Sequence, residues 1–185
     1  MNWITKFIKP KIASLFKKKT SESDQVLWTT CECKNLIYKE DLQKNLNCCP
    51  KCGAHHKLTC VERFEIFFDD KEFNLISTPL PKDDPINFVD KKKYTDRLKL
   101  ARKITKQDDA VAISTGKVND IQVTAGAQDF RFIGGSFGAA SGEAFIHGVQ
   151  HAIDNKNPFI FFSCSGGQRM MESSIALMQM SRTVL

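Results

Sequence analysis

The segment FRFIGGSFGAASGEAF, residues 130–145, starts as an apolar strand pattern, turns at Gly134 and Gly135, and continues as a helical pattern. A second segment repeats this order, because the apolar run PFIFFS (158–163) leads through SGGQ (165–168) into another helical pattern. Strand, glycine turn and helix in repeated succession are typical of an α/β fold with parallel central strands. We therefore expect the two units to share one sheet.

Upstream of these units the sequence predicts a further pair of strands and two short helices. The strands are rich in β-branched and small residues around a turn at 118–120, and the helices are amphipathic. The segment between the helices is rich in Pro, Asp and Lys, which is typical of an exposed connection. The strands are predicted at 110–116 and 120–128, the helices at 61–69 and 94–106, and the connection at 77–93.

The two glycine turns are candidates for a ligand site. Glycine permits positive φ and lets a ligand approach the backbone closely, and N–H groups at the start of a helix stabilise an anion. Because consecutive parallel strands end at the same edge of a sheet, we expect both turns at one site. The alternative is a pair of tight strand-to-helix turns that bind nothing.

Near these turns the sequence offers no nucleophile paired with a general base. Ser165 lacks the G-x-S-x-G surroundings of a hydrolase nucleophile, and Cys164, at the end of an apolar strand, is expected to be buried. His147 and His151 lie four residues apart on one predicted helix, without a third metal ligand beside them. Chemistry at the turns would therefore rest on backbone dipoles.

Six of the seven cysteines fall within thirty residues. Cys31 and Cys33 form one pair, Cys49 and Cys52 form another, and such pairs supply the four thiolates of tetrahedral zinc. In a chain without a visible secretory signal, this spacing indicates metal binding rather than disulfides. The sequence predicts a structural zinc ribbon, since four thiolates leave no open position for a catalytic water.

The first cysteine pair is one residue shorter than the usual C-x-x-C, and two interpretations follow. The pair either binds zinc as it stands or is replaced in part by Cys48. Cys60 is expected in the hydrophobic core. The adjacent His55 and His56 are interpreted as surface residues, because neighbouring side chains do not easily face one metal.

The net charge of +6 belongs to the N-terminal third of the chain. Residues 1–60 hold 11 Lys and Arg against 5 Asp and Glu, whereas residues 61–185 hold 16 of each. Residues 2–16 have the spacing of a basic amphipathic helix, which would lie on a membrane surface or dock on this protein or a partner subunit. We take residues 1–25 as this arm and its linker, and only the basic third suits a polyanionic partner.

The composition, with 42% hydrophobic and 26% charged residues, is typical of a globular protein. No segment approaches the ~18 consecutive apolar residues of a membrane span. A secretory signal is not visible either, because the N-terminus lacks a continuous apolar stretch followed by a cleavage site. We therefore expect a protein of the reducing cytoplasm.

Three stretches together resemble one known family, the carboxyltransferase beta subunits of bacterial-type acetyl-CoA carboxylase. They are WTTCECKNLIYKEDLQKNLNCCPKCGAHHKLT (28–59), DFRFIGGSFGAASGE (129–143) and FSCSGGQRMMESSIALMQMSRT (162–183). The resemblance runs from about Trp28 to Leu185, and the stretch SGGQRMMES is its most specific part. It implies a crotonase-like α/β fold of ββα units, incomplete here, that follows a zinc ribbon.

The resemblance also implies domains and site residues. It places the ribbon at 26–60 and the N-terminal part of a carboxyltransferase domain at 61–185. The implied zinc ligands are Cys31, Cys33, Cys49 and Cys52. The implied catalytic residues are Gly166 and Gly167, which form the oxyanion turn for acyl-CoA. The implied acyl-CoA contacts are Gly134, Gly135, Ser165 and Arg169.

The implied reaction carries a carboxyl group from carboxybiotin, held on a carrier protein, to acetyl-CoA. Its product is malonyl-CoA, and the reaction is the first step of fatty acid biosynthesis. The implied partners are a carboxyltransferase alpha subunit in an α2β2 assembly, the biotin carboxyl carrier protein and biotin carboxylase. ATP is used by biotin carboxylase, and this sequence has no P-loop. The implied cofactor of this chain is one structural Zn²⁺.

Three other interpretations compete with this one. A zinc-ribbon module that binds nucleic acid would account for the basic N-terminal third, but not for the glycine turns. A truncated, non-catalytic subunit would assemble without turnover, and another crotonase-type enzyme, such as a thioester hydrolase or hydratase, would not need the ribbon. The last helical pattern is still in phase at Leu185, so we expect these 185 residues alone not to be a competent carboxyltransferase, even with the alpha subunit and the carrier present.

Overall fold

The structure, a computed structural model, describes residues 27–184. The chain divides into two compact units, the first ending at His56 and the second beginning at Lys57. The arm predicted for residues 1–25 lies outside the described residues. Within the described residues, no helix is both long enough and apolar enough to cross a bilayer.

The first unit is a small ribbon with the elements β1 Trp28–Thr30, β2 Leu36–Tyr38 and α1 Lys39–Lys44. The two strands pair antiparallel, and the rings of Trp28 and Tyr38 pack with their centroids 5.3 Å apart. The buried core of the unit consists of Cys31, Ile37, Leu42 and Cys49. A core with so few apolar side chains supplies little hydrophobic stabilisation, so a unit of this kind depends on a cross-link.

The second unit is an α/β layer around a four-stranded sheet. Its strands are β3 Phe73–Ile76, β4 Val111–Val118, β5 Ile121–Gln128 and β6 Phe159–Phe162. Its helices are α2 Cys60–Phe67, α3 Tyr94–Thr105, α4 Ala139–Asp154 and α5 Ser174–Arg182. The strand order is β3-β4-β5-β6, and α4 is the crossover between β5 and β6. The two predicted strands, the apolar run before SGGQ and the predicted helices are all present.

The sheet is mixed: it contains one parallel pair, as predicted for the central strands, and an antiparallel pair around the predicted turn at 118–120. Only β5 and β6 are parallel, whereas β3, β4 and β5 run antiparallel. The connection from β4 to β5 has only Asn119 and Asp120, and a parallel connection needs a dozen or more residues. The sequence also missed β3, a four-residue edge strand too short to give a clear alternation.

Residues 130–132 are not the strand that their apolar pattern indicated. After β5 the chain makes a turn and a 3-10 helix at Ile133–Gly135, and Phe132 is nevertheless fully buried. The predicted helix after SGGQ also starts later, because a 3-10 turn at Met170–Glu172 precedes the start of α5 at Ser174. Apolar residues in both places reach the core from turns, which a periodicity argument does not detect.

Helix α2 is fixed to the sheet at its first turn. Its N-cap is Thr59, whose hydroxyl accepts from the Glu62 N–H at 3.1 Å, while the Glu62 carboxylate accepts from the Thr59 N–H at 2.8 Å. Such a capping box satisfies two N–H groups at the helix start. Cys60 and Phe64 are then fully buried against Ala125 and its neighbours in β5. The expectation that Cys60 belongs to the core is confirmed.

Candidate functional site

Two tight turns carry the four cysteines of the ribbon. In the first turn the Cys31 N–H donates to the Asn35 carbonyl at 3.0 Å, and the Asn35 side-chain amide donates to Cys33 Sγ at 3.2 Å. In the second turn the Gly53 N–H donates to the Cys49 carbonyl at 2.9 Å. Gly53 has a φ of 73°, which glycine adopts without strain.

The four Sγ atoms of Cys31, Cys33, Cys49 and Cys52 lie within 4.8 Å of one another. Cys31 Sγ is 3.6 Å from Cys52 Sγ, and Cys33 Sγ is 3.9 Å from Cys49 Sγ. A tetrahedron with Zn–S bonds of ~2.3 Å has sulfur–sulfur edges of about 3.8 Å. The thiols are therefore spaced for zinc, and the short first pair takes part as it stands.

The surroundings of the four thiols shift their pKa values in opposite directions, down for Cys33 and Cys49 and up for Cys31 and Cys52. Hydrogen bonds from the side chain and the backbone of Asn35 lower the pKa of Cys33 to about 6. For Cys49, burial raises the pKa, but the backbone N–H groups of Cys52 and Lys51 outweigh it and lower the pKa. For Cys52 the backbone N–H of Ala54 lowers the pKa, but the neighbouring thiols outweigh it and raise the pKa to about 12. For Cys31 the backbone N–H of Cys33 lowers the pKa, but burial and the neighbouring thiols outweigh it and raise the pKa. Two thiols of the cluster therefore favour the thiolate, which is the form that binds a metal.

Cys48 lies outside the four-thiol cluster, which removes the alternative in which it replaces a member of the first pair. Its Sγ lies 3.1 Å from His55 Nδ1, and the two residues form an isolated antiparallel bridge. His55 is exposed, as expected, whereas His56 is half-buried and its N–H donates to the Asn47 carbonyl. The two histidines therefore bind the segment that contains Asn47 and Cys48, beside the four-thiol cluster.

The structure brings the two glycine turns into direct contact. The Gly166 N–H donates to the Gly134 carbonyl at 2.9 Å, and the Phe137 N–H donates to the Gly167 carbonyl at 2.9 Å. A Cβ atom at Gly135 would overlap the carbonyl oxygen of Cys164. Glycine at 135 is therefore required for the turns to approach this closely, and the prediction that they meet is confirmed.

The N–H groups at the turns have different acceptors. The Gly135 N–H donates to the Phe132 carbonyl, and the Gly166 N–H donates to the Gly134 carbonyl. The Gly167 N–H donates instead to Ser165 Oγ at 3.0 Å, and both residues are exposed. The Ser165 hydroxyl can rotate away, because its side chain has several rotamers. The Gly167 N–H could then donate to the oxygen of a bound anion instead.

The space around the second turn is open. Gly167 has a φ of 126°, and a Cβ atom placed there would meet nothing within 4 Å. Gly134, with a φ of 66°, faces open space in the same way. Cys164 is exposed, contrary to the expectation that it is buried, because β6 ends at Phe162 and the following residues form a surface loop.

Arg169 does not lie at the surface, where the implied contact with acyl-CoA would require it to be. Its side chain is fully buried, with a relative exposure of 0%. Burial disfavours its charge, but hydrogen bonds and the charge of Asp109 outweigh burial and raise the pKa of the guanidinium. The side chain therefore carries a permanent charge inside the protein, between the two turns.

Sequence reasoning missed the residues that surround Arg169. Tyr94, Asp109 and Glu172 are all buried and contact one another or the guanidinium. Asp109 lies 60 positions before Arg169, and Tyr94 lies 78 positions before Glu172. No local pattern connects residues so far apart. The one available signal was the Arg-x-x-Glu spacing in SGGQRMME, which places both charges in one turn.

Two family models match the chain. The acetyl-CoA carboxylase zinc finger domain matches residues 28–52, and the carboxyl transferase domain matches residues 54–184. Curated relatives are named acetyl-coenzyme A carboxylase carboxyl transferase subunit beta. The protein of Pelagibacter ubique is 46% identical over the whole chain, and that of Jannaschia sp. is 41% identical. The chain spans 61% and 58% of their lengths.

Among solved structures, the transcarboxylase 12S core, determined with methylmalonyl-coenzyme A and methylmalonic acid bound, is similar to this chain. The TM-score is 0.51 at 24% identity, over 68% of this chain and 22% of the other. Likeness at this identity concerns the fold. The crotonase-type α/β fold behind an N-terminal zinc ribbon, expected from the sequence, is confirmed.

Proposed function

Because the chain belongs to the carboxyl transferase family, we propose that it acts as the carboxyltransferase beta subunit of an acetyl-CoA carboxylase. In this role it helps to move the carboxyl group of carboxybiotin to acetyl-CoA, which forms malonyl-CoA. A zinc ribbon followed by a carboxyl transferase domain supports the proposal. A nucleic-acid module has no comparable support, since the basic N-terminal third is its only argument.

The contact between the two glycine turns carries this proposal. It leaves the exposed Gly167 N–H beside open space, with only the Ser165 hydroxyl as its acceptor. We propose that the thioester of acetyl-CoA enters this space and that its oxygen replaces the hydroxyl. Gly134 would line the approach, because a side chain there would project into open space, whereas Gly135 and Gly166 would allow the two turns to lie close together.

The chemistry that such a site performs is stabilisation of an enolate. When the acetyl methyl group loses a proton, negative charge develops on the thioester oxygen, and a fixed N–H donor is worth most at that moment. The carboxyl group leaves the biotin nitrogen, that nitrogen takes the methyl proton, and a carbon–carbon bond forms to the carboxyl carbon. The protein then supplies orientation and anion stabilisation, and no side-chain base is needed.

We further propose that Cys31, Cys33, Cys49 and Cys52 hold one structural Zn²⁺. The sulfur spacing supports this, as does the small core of the ribbon. Bound zinc would cross-link the two turns and add the folding free energy that the hydrophobic core does not provide. With four thiolates the ion has no free position, so it takes no part in carboxyl transfer.

The proposed partners follow from the proposed reaction. An alpha subunit would complete an α2β2 carboxyltransferase, and the biotin carboxyl carrier protein would deliver carboxybiotin. Biotin carboxylase would recharge the biotin at the expense of ATP, so ATP is bound at the level of the complex. The product malonyl-CoA would enter fatty acid biosynthesis, which in bacteria takes place in the cytoplasm.

Reconstitution tests the proposal. Because these 185 residues span 61% of the length of the relative from Pelagibacter ubique, the assay uses a beta subunit of the relatives' full length that contains them. It is combined with the alpha subunit and carboxylated carrier, and malonyl-CoA and free CoA are both measured. We expect malonyl-CoA to form only when acetyl-CoA, carboxylated carrier and both subunits are present. Release of free CoA without malonyl-CoA would instead identify a thioester hydrolase. If the complete mixture formed no more malonyl-CoA than a mixture without this chain, the proposal would be wrong.

A further inference from the structure

A buried cluster of charged and polar side chains lies between the two glycine turns. Its members are Tyr94, Asp109, Arg169 and Glu172, none of them more than 4% exposed. Three of the four are charged, with the Arg169 cation facing the Asp109 and Glu172 carboxylates. Burying charged groups costs several kcal/mol each unless they are paired. A cluster of this kind therefore specifies one arrangement of the chain segments that bear it.

Arg169 follows the second turn by two residues and binds the backbone just after the first. Its Nη2 donates to the Ser136 carbonyl at 2.6 Å, and its Nε donates to Ser136 Oγ at 3.1 Å. The backbone makes a parallel link, since the Arg169 N–H donates to the Phe137 carbonyl at 2.9 Å. Arg169 thus connects the two turns through both its side chain and its main chain.

Asp109 holds the guanidinium in this orientation. Its carboxylate accepts from Nη1 at 2.5 Å and from Nη2 at 2.8 Å, which is the bidentate geometry of a strong ion pair. The same carboxylate accepts from the Ala110 N–H at 2.8 Å and from Ser141 Oγ at 2.6 Å. Asp109 therefore ties Arg169 to the start of β4 and to the first turn of α4.

Glu172 fastens the second turn to the start of α4. Its Oε2 accepts from the Ala139 N–H at 2.6 Å, and its Oε1 accepts from the Tyr94 hydroxyl at 2.6 Å. A carboxylate is favourable at a helix N-terminus, where N–H groups are unsatisfied. Gly138 makes room for it, because a Cβ atom there would lie 2.7 Å from both carboxylate oxygens.

We propose that Arg169 and Glu172, braced by Asp109 and Tyr94, are positioning residues that set the distance between the two glycine turns and thereby aim the Gly167 N–H at the thioester oxygen. The expected effect of this positioning on catalysis rests on the proposed function. Each of the two charged residues lies just after the second turn and binds the segment 136–139 just after the first, so the turns cannot shift independently. The four side chains are buried and do not themselves contact acyl-CoA.

This role predicts a specific kinetic effect. Loosening the cluster would misalign the Gly167 N–H, whose contribution is greatest in the transition state, while the rest of the acyl-CoA contacts remain. Turnover should therefore fall with little change in KM for acetyl-CoA. A residue that only stabilised the fold would lower the amount of folded enzyme, and it would not separate kcat from KM in the folded fraction.

Arg169→Lys in the assembled carboxyltransferase is the main test. Lysine keeps the charge but cannot reach Asp109 and Ser136 together with one ammonium group. We expect kcat to fall about 100-fold, the scale of a small misplacement at a reacting centre. Tyr94→Phe removes only the hydroxyl that donates to Glu172 and accepts from Arg169 Nη1 at 3.2 Å, so it should lower kcat less and fold normally. Arg102→Lys is the matched control. Arg102 lies on the same helix as Tyr94, makes a bidentate pair with Asp83 and donates from Nε to the Asp108 carbonyl at 2.9 Å, but none of these bonds is to Arg169 or to the two turns.

Amide hydrogen exchange provides a readout that does not depend on activity. Arg169→Lys should increase exchange at residues 134–137 and 166–169, whereas Arg102→Lys should leave exchange there unchanged. If Arg169→Lys and Tyr94→Phe both exchange and turn over like the unaltered protein, the positioning role is wrong. If Arg169→Lys does not fold, Tyr94→Phe decides by the same two measurements. An unaltered enzyme that forms no malonyl-CoA would overturn the proposed function, and hydrogen exchange would still test whether the cluster holds the turns.

Discussion

At the scale of single residues, the two glycines of the second turn exclude side chains for different reasons. Gly166 lies close to the Gly134 carbonyl, whereas Gly167 faces open space at a positive φ. Gly167 therefore tolerates a side chain sterically but not conformationally, and any side chain there would project toward the proposed thioester. This makes position 167 the sharper of the two for testing the oxyanion role.

Gly167→Val should reduce turnover by at least ~10², the loss measured when one oxyanion-hole donor is removed. Valine at a φ of 126° would shift the backbone and cover the N–H. The measurement is kcat in the reconstituted carboxyltransferase. Asn119→Val is the control for backbone strain, since Asn119 has a φ of 50° in the β4–β5 hairpin, at the opposite end of β5. Normal turnover by folded Gly167→Val would contradict the role.

Cys60 should make folding stability sensitive to alkaline pH. Burial raises the pKa of its thiol to about 12, whereas an unfolded thiol ionises near 8.5–9. Between about pH 9 and 12 the folded form therefore binds more protons than the unfolded form, so stability falls as pH rises through this window. We expect urea unfolding under reducing conditions to show this loss, and Cys60→Ala to show a smaller one.

The comparison between the two proteins isolates the thiol, because other groups titrate equally in both. Cys60→Ala should also be less stable at pH 7, since the Cys60 thiol donates to the Ala127 carbonyl at 3.1 Å in a packed core. Identical pH profiles for the two proteins above pH 9 would show that the thiol is not protected by burial.

At the scale of elements, the ribbon and the α/β unit rely on different sources of stability. The ribbon has two three-residue strands, a six-residue helix and few buried apolar residues. The α/β unit has three separate clusters of buried apolar residues along its sheet and helices. A metal that binds only the folded ribbon therefore contributes a large share of the stability of that unit.

Protein purified without added zinc should contain one Zn²⁺ per chain, and Cys49→Ser should contain less. The serine hydroxyl is a poor zinc ligand, so the substitution should unfold the ribbon, while β4 and β5 remain structured. Metal analysis gives the stoichiometry, and limited proteolysis locates the unfolded segment. Cys48→Ser is the matched control and should retain zinc, because Cys48 lies outside the cluster. A folded ribbon with no bound metal would contradict the prediction.

At the scale of the whole molecule, the sheet should unfold from its edge. β5 lies between β4 and β6, and its residues 123–128 are all buried. Among residues 27–184, β3 pairs only with β4, and Asn74 and Leu75 are exposed. Amides in β5 should therefore exchange only through global unfolding, whereas those in β3 should exchange through local opening. Hydrogen exchange followed by mass spectrometry measures the order, and equal protection of both strands would contradict it.

Several features followed from the sequence alone because they depend on neighbours in the chain. The four clustered cysteines, Cys31, Cys33, Cys49 and Cys52, form two local pairs, and each pair lies in a turn that its own residues make. The glycine turns are local in the same sense, since positive φ and close approach are requirements of single positions. Long apolar or amphipathic segments likewise predicted most helices and strands.

Other features were decided only by the tertiary structure, because they depend on residues far apart in the chain. β3 joined the sheet by pairing with β4, which lies far along the chain from it, and the exposure of Cys164 came from the early end of β6. The cluster of Arg169 with Asp109 forms across 60 positions. A sequence pattern records the local preference of each segment, but the pairing of buried charges is set by packing, which brings together groups that no local pattern relates.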